Sequence, residues 1–439
     1  MFEPLYTADE MRAAEQGHDV DRMMERAGRA VADAVLRLYP DAGHIGAICG
    51  EGANGGDGRI ALRLLAEAGR KTSEGLDGGA DVVIDALFGT GFEGTPRPDA
   101  AALIEQVNAL EAPVVAVDVP SGVDASTGEV NGVAVDADVT VTMHARKVGL
   151  VVAPGRFHAG EVEVADIGLD YAETRHRLVT NEILQLVPLR REGDTKYTAG
   201  SVLVIGGSPG MTGALVLAAE AAFRADAGYV AVAVPKESMP VVETLLVEAL
   251  KAPRERVDEL AERASALAIG PGLGRGDEER ALVRRLLAES KLPAAVDADA
   301  LFELEPADWP APRVLTPHAG ELARLIGKDS SWVDAHRLAA VDRAVDRFHC
   351  VVLLKGADTL VGAPGEGVLV CDAGTAALAT AGTGDVLTGV LASFLSKKMD
   401  AREAAAAAAV AHGRAAALAP HQVGLVASDV IESLPFALG

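Results

Sequence analysis

Apolar residues recur at helical spacing through residues 9–38, where Met11, Ala14, Met23, Ala27, Val31, Val35 and Leu38 can share the faces of one or two helices. Short apolar runs then alternate with helical stretches. Strands are predicted at 44–49, 81–86, 113–118 and 138–143, with helices at 59–68 and 99–109 between them. Strand, loop, helix and strand in this order predict a mostly parallel sheet covered on both faces. From 168 to 191 the pattern gives way to polar, charge-rich sequence, and a new strand begins at Ser201. The boundary is placed near residue 190, which gives domains 1–190 and 191–439. The second repeats the alternation, with strands at 201–205, 229–234, 266–269, 294–297, 313–316 and 350–355, so it reads as another α/β layered domain. The alanine-rich segment 401–419 has a composition that favours helix intrinsically.

A chain of 439 residues exceeds the usual size of one core, in line with two domains. Its 40 Lys and Arg face 64 Asp and Glu, for a net charge of −24. That balance argues against nucleic acid and anionic membranes as partners. Anionic small molecules stay open, because backbone dipoles bind phosphate even in an acidic protein. Cys49, Cys350 and Cys371 are far apart, with no CxxC pair and no metal-ligand spacing, so they read as reduced, buried small hydrophobes. A cytoplasmic setting is expected. No basic stretch followed by an apolar one opens the chain, and no apolar run reaches membrane-spanning length.

Gly50-Glu51-Gly52-Ala53-Asn54-Gly55-Gly56-Asp57-Gly58 lies between a predicted strand and helix, where open α/β sheets bind ligands. It has neither the GxGxxG spacing of a dinucleotide fingerprint nor the GK[ST] ending of a P-loop, and it carries more glycine than a turn requires. Two further strand ends aim at the same edge: Asp85-Ala-Leu-Phe-Gly89-Thr90-Gly91 and Val117-Asp118-Val-Pro120-Ser121-Gly122. Asn54, Asp85 and Ser121 offer oxygen ligands suited to a hard cation, and Asp118 can serve as acid or base. The plainer reading makes Asp85 and Asp118 loop caps.

With the segments NGGDG, DALFGTG and VDVPSGVDASTGE and the tail from Lys147 to Gly168, residues 5–170 resemble the NAD(P)H-hydrate epimerase domain. The resemblance implies a Rossmann-like three-layer fold and a potassium ion held by Asn54, Asp85 and Ser121. It also implies substrate contacts from Ala53, Asn54, Gly55, Gly56 and Asp57, from the segment 89–95 that opens with Gly89, Thr90 and Gly91, and from Asp118 at the reacting end. Lys147 is a further polar candidate. Two departures stand out: Ala53 where the family commonly has a second asparagine, and only residues 69–79 where it usually has another strand and helix. A parallel crossover does not fit in so few residues, so the sheet is expected to be one strand shorter.

In the second domain, Ala381-Gly382-Thr383-Gly384-Asp385 opens a long apolar helix. Backbone N–H groups can approach a phosphate there, and a carboxylate can take a proton from a substrate hydroxyl. Asp385 reads equally as a helix N-cap. Other signals fall at predicted strand ends: 206–214 ending in Ala214, Gly270-Pro271-Gly272-Leu273-Gly274, Asp297-Ala298-Asp299, Thr316-Pro317-His318-Ala319-Gly320-Glu321, and Lys355-Gly356-Ala357-Asp358-Thr359. The two carboxylates of 297–299 suit Mg²⁺, directly or through water. Residues 195–435 resemble the ADP-dependent NAD(P)H-hydrate dehydratase, a member of the ribokinase-like α/β/α fold. One departure is Phe302, where an asparagine is usual. The resemblance implies that Asp385 is the base and that Lys355, Gly356, Ala357, Asp358, Thr359 and Gly384 hold ADP. Ala214, Gly272, Gly274, His318 and Asp385 would meet the substrate.

The combined expectation is a bifunctional enzyme that epimerises hydrated NADH and NADPH and dehydrates the S form with ADP, as a homo-oligomer. Two alternatives accompany it: a dehydratase whose first domain is a non-catalytic binding module, and a kinase of a vitamin-like alcohol.

Overall fold

The computed structural model describes residues 1–76 and 79–439. Contacts divide the chain into two units, one of residues 4–177 with 334–337, the other of residues 1–3, 178–333 and 338–439. Residues 178–190 thus fall with the second unit rather than the first, because Val179, Ile183 and Val187 are buried in its core.

The first unit is built on a six-stranded sheet. Its spatial order is Lys71–Glu74, His44–Cys49, Val82–Ala86, Val114–Val117, Val139–Met143, Glu161–Ala165, and every neighbouring pair is parallel. The three central strands Val82–Ala86, Val114–Val117 and Val139–Met143 are buried at every position. Mostly apolar strands are buried this way when helices cover both faces, and Asp85, Thr140 and Thr142 are buried with them. Val31 and Val35 of the helix Val20–Leu38 and Leu62 and Leu65 of the helix Ala53–Glu67 close one face. Ile104 and Val107 of the helix Pro98–Asn108 close the other.

Two expectations need correction here. The sheet has not lost a strand, since Lys71–Glu74 pairs in parallel with His44–Cys49 at the edge. Among the described residues, the connection that follows carries no crossover helix. The returning chain instead passes over the neighbouring strand at Gly46, where an added Cβ would stand 3.2 Å from the Ala80 Cβ and 3.4 Å from the Gly75 carbonyl oxygen. The second correction concerns the glycine-rich segment, whose residues from Ala53 on are the first turns of a helix rather than a loop. Its glycines serve close packing: a Cβ on Gly55 would lie 1.9 Å from the Gly50 carbonyl oxygen.

The second unit carries nine whole strands of an eleven-stranded sheet. Seven strands run parallel, in the order Leu250–Pro253, Tyr229–Val234, Ser201–Ile205, Ala266–Ile269, Ala294–Val296, Arg313–Leu315, Val351–Leu354. The antiparallel strands Thr359–Gly362 and Leu369–Cys371 extend it. The chain order reverses at Ser201–Ile205, so the loops after it and after Ala266–Ile269 adjoin, the position where open α/β sheets bind ligands. Helices Thr212–Arg224, Thr383–Ser396 and Ala401–Leu418 pack one face, and Asp277–Glu289 packs the other. The alanines of Ala401–Leu418 do more than favour helix. Ala404 to Ala408 are fully buried, which makes this an interior helix.

Candidate active sites

In the first unit the carboxyl ends of the strands open into a cavity of about 1270 Å³ lined by Glu15, Asn54, Asp57, Thr90 and Asp118 among others. Ala53, Gly89 and Gly91 also line it, whereas Gly55 and Gly56 do not. Asp118 follows the strand Val114–Val117 in a left-handed conformation, φ 69°, that side chains rarely adopt. Its surroundings hold it there. Its N–H donates to the Val141 carbonyl at 2.8 Å. Lys147 Nζ donates to Oδ1 at 2.5 Å and the Met143 N–H donates to it at 3.1 Å, while the Thr90 hydroxyl and N–H both donate to Oδ2. Lys147 is completely buried and spends its other protons on Thr142 Oγ1 at 3.0 Å and the Met143 carbonyl at 2.6 Å. Burial would raise the Asp118 carboxyl, but the charge of Lys147 and the hydrogen bonds from Lys147, Thr90 and Met143 outweigh it and hold the group below its ordinary range.

Asp57 presents the opposite case. It is 8% exposed, and its Oδ1 has no hydrogen-bond partner. Burial, followed by repulsion from Asp118 and Glu15, pushes its carboxyl up to about 8. Glu15, the last residue of the helix Ala8–Glu15, is itself pushed up by burial and by Asp118. Nothing in its sequence neighbourhood marks Glu15 as a cavity residue.

Beneath the cavity, Asp85 and Ser121 are buried and joined. Ser121 donates to Asp85 through its hydroxyl at 2.6 Å and its N–H at 2.8 Å, and the Phe88 N–H donates to Ser121 Oγ at 2.8 Å. Asn54 Nδ2 donates to the Phe88 carbonyl at 2.7 Å, tying the third residue to the same cluster. Burial, opposed by the Ser121 hydrogen bonds, raises Asp85 to about 6. Asn54 Oδ1, the Asp85 carboxylate and Ser121 Oγ are all hard oxygen donors, a set that fits an alkali cation.

In the second unit two glycine loops interlock. The Gly207 N–H donates to the Pro271 carbonyl at 3.0 Å, and the Ser208 N–H to that of Gly272 at 2.7 Å. The helix Thr383–Ser396 begins after Gly382, which takes φ 90° as its N-cap. Asp385 therefore lies inside the first turn, and the N-cap reading does not apply to it. Across the site, Lys355 Nζ donates to Asp297 Oδ1 at 2.7 Å and stands 4.0 Å from Glu321. Thr388 donates its hydroxyl to Asp297 Oδ2 at 2.7 Å, one turn beyond Gly384. An added Cβ on Gly384 would lie 3.4 Å from Lys355 Nζ, so the turn packs directly on the lysine. Burial and then the Asp297 charge raise Asp385 to about 7, with Lys355 opposing. Burial would depress Lys355, but Asp297 and Glu321 keep it raised and charged.

His318 caps the helix Ala319–Ile326: its Nδ1 accepts from the Gly320 N–H at 3.0 Å, and Glu321 accepts in return from the His318 N–H at 2.9 Å. Lys355 ends the strand Val351–Leu354 and is bonded through its N–H to the Pro317 carbonyl at 2.9 Å, which joins two predicted loops. Gly356 and Ala357 are exposed in the following turn, Asp358 is buried, and Thr359 starts the next strand. Ala214 lies in the first turn of Thr212–Arg224. The carboxylate pair of 297–299 does not suit direct Mg²⁺ binding. Asp297 is taken by Lys355 and Thr388, and Asp299 accepts from Arg275 at 2.7 Å and the Gly274 N–H at 3.0 Å. Among the described residues no group of three or more His, Cys, Asp or Glu could hold a metal.

A family model described as NAD(P)H-hydrate dehydratase matches residues 202–435, and one described as YjeF-related protein N-terminus matches 20–74 and 70–149. The chain is 36% identical to the bifunctional NAD(P)H-hydrate repair enzyme Nnr of Moorella thermoacetica, over 95% of this chain and 92% of the relative. The chain belongs to the bifunctional NAD(P)H-hydrate repair enzyme family. The family member of Escherichia coli, also named Nnr, is 33% identical over 98% of this chain and 93% of its own. Among solved structures, the ADP/ATP-dependent NAD(P)H-hydrate dehydratase of Bacillus subtilis, co-crystallized with ATP and Mg²⁺, superposes with a TM-score of 0.55 at 29% identity. It covers 59% of this chain and 96% of its own, which identifies the second unit's fold as ribokinase-like. Among the described residues of this repair-family chain, no helix is long and apolar enough to cross a membrane.

Proposed function

We propose that the first unit interconverts the R and S epimers of hydrated NADH and NADPH, and that the second converts the S form to NAD(P)H with ADP, giving AMP and phosphate. The observation that carries the second half is Asp385, a carboxylate in the first turn of a buried helix whose affinity for protons sits near neutrality. A base so placed takes a hydroxyl proton at neutral pH and still releases it.

The chemistry follows from the parts. Asp385 removes the proton of the C6 hydroxyl, and the freed oxygen attacks the terminal phosphorus of ADP, displacing AMP. The N–H groups of residues 382–385 and the Lys355 ammonium face the charge that gathers on the transferring group. The phosphorylated C6 oxygen then departs with its bonding pair as phosphate, C5 loses a proton, and the C5=C6 bond of the nicotinamide ring is restored. Mg²⁺ would arrive on the nucleotide phosphates and neutralise their charge, in keeping with the committed state of Asp297 and Asp299.

In the first unit Asn54, Asp85 and Ser121 would hold K⁺, which supplies positive charge under the cavity floor. Asp118 fixes the reacting end of the hydrated ring. Lys355 to Thr359 and Gly384 are assigned to ADP, and Ala214, Gly272, Gly274 and His318 to the substrate of dehydration. A cytoplasmic homo-oligomer accords with this reading. The test supplies purified chain with a mixture of both epimers, Mg²⁺ and ADP. Full return of dihydronicotinamide absorbance, faster than spontaneous exchange allows, is expected; a stable phosphorylated product in its place would mark a kinase.

A further inference from the structure

We infer that Asp57 is the proton donor of the epimerisation, working opposite Asp118; this rests on the epimerase reading of the first unit. Three carboxyl groups, Glu15, Asp57 and Asp118, line one cavity, and the buried ammonium beside them, Lys147, is already bonded to Asp118. Asp118 has both oxygens occupied and a reason to keep its charge. Asp57 has a buried oxygen with no partner, in a cavity wall, and ionising it would add an uncompensated charge next to two others. A carboxyl so placed keeps its proton at neutral pH and can hand it to a ligand that fills the cavity.

Two charged groups near Asp57, Asp118 and Glu15, oppose its ionisation. From the helix Ala8–Glu15 comes Glu15, with Arg12 as the cation beside it. From the strand ends come Asp118 and, paired with it, Lys147. The helix Val20–Leu38 contributes Val20, Met23, Met24 and Ala27 to the cavity wall, none of them charged. Arg97 stands exposed on the cavity wall, as do Glu51, Glu93 and Asp99.

The step balances with water alone. Asp57 gives its proton to the C6 hydroxyl oxygen, the C6–O bond breaks with its electron pair leaving on water, and the N1 lone pair forms N1=C6. Water then adds to the opposite face of C6, the N1=C6 pair returns to N1, and the proton shed by the incoming water goes to Asp118. Water attacking a cationic carbon becomes strongly acidic, so a weakly basic carboxylate is sufficient there. Return of that proton from Asp118 to Asp57 restores the starting state.

The test is the rate of R-to-S conversion by the full-length chain across pH, with spontaneous exchange subtracted. Wild type should lose activity as pH rises through about 8, where Asp57 gives up its proton. Asp57→Asn should lower kcat about 100-fold or more, the usual worth of a positioned acid, with KM little changed. Asp57→Glu, which keeps a carboxyl, should recover part of that loss. An Asp57→Asn chain that epimerises at the wild-type rate overturns the inference and leaves the epimerase reading standing. A wild-type chain that fails to accelerate exchange overturns both. Should Asp57→Asn fail to fold, as circular dichroism would reveal, the wild-type profile decides, and a rate independent of pH between about 6 and 9 contradicts the inference.

Discussion

Each unit sets an aspartate near a lysine at the carboxyl ends of parallel strands, Lys147 buried and Lys355 half-buried, and the two lysines are used differently. In the first unit Lys147 bonds the aspartate itself, Asp118, at 2.5 Å and holds it ionised. In the second, Lys355 bonds a different carboxylate, Asp297, at 2.7 Å and leaves Asp385 near neutrality. The same two residue types thus yield a resting anion in one place and a base that titrates near neutrality in the other. The partner of the lysine decides which.

The comparison can be broken in several ways. The largest effect is expected from Asp385→Asn, which keeps shape but removes the base: ADP-dependent dehydration of the S epimer should fall about 10²–10⁴-fold, read from dihydronicotinamide absorbance. Next comes Lys147→Met, which strands the Asp118 charge in a largely buried site. Urea unfolding should show the first unit destabilised by about 3–5 kcal/mol, the cost of breaking a buried pair from one side. Asp297→Asn sharpens the contrast further. It removes the like charge that raises Asp385 and frees Lys355 to face it, and both changes favour ionised Asp385. The rising limb of dehydration against pH should therefore move to lower pH. The smallest effect belongs to the fold. Gly46→Val should cost about 1–3 kcal/mol, because a Cβ there already stands 3.2 Å from the Ala80 Cβ and a larger side chain must push its neighbours aside.

The strands were legible wherever both faces are buried. Val82–Ala86, Val114–Val117 and Ser201–Ile205 are mostly apolar runs, and the structure buries every position of each. Lys71–Glu74 was not legible, since an edge strand of polar residues has no period that distinguishes it from a loop. The early start of the helix Ala53–Glu67 was hidden for another reason. Glycine disfavours helix intrinsically, and here it is required by contact with Gly50, a neighbour that only the folded chain supplies. The strand-end motifs were legible as groups, because parallel sheets gather such loops at one edge. Side-chain pairings were beyond reach. Nothing in the sequence says that Lys355 turns to Asp297 rather than Asp385, or that Glu15 joins Asp57 and Asp118 around one cavity.

The most direct measurement is the pH dependence of both reactions on one preparation. Dehydration needs Asp385 without its proton, so its rate should climb as pH rises through about 7. Epimerisation needs Asp57 with its proton, so its rate should fall as pH rises through about 8. Opposite slopes, with both reactions active between the two values, are the predicted result. Two profiles that rise and fall together would contradict the account.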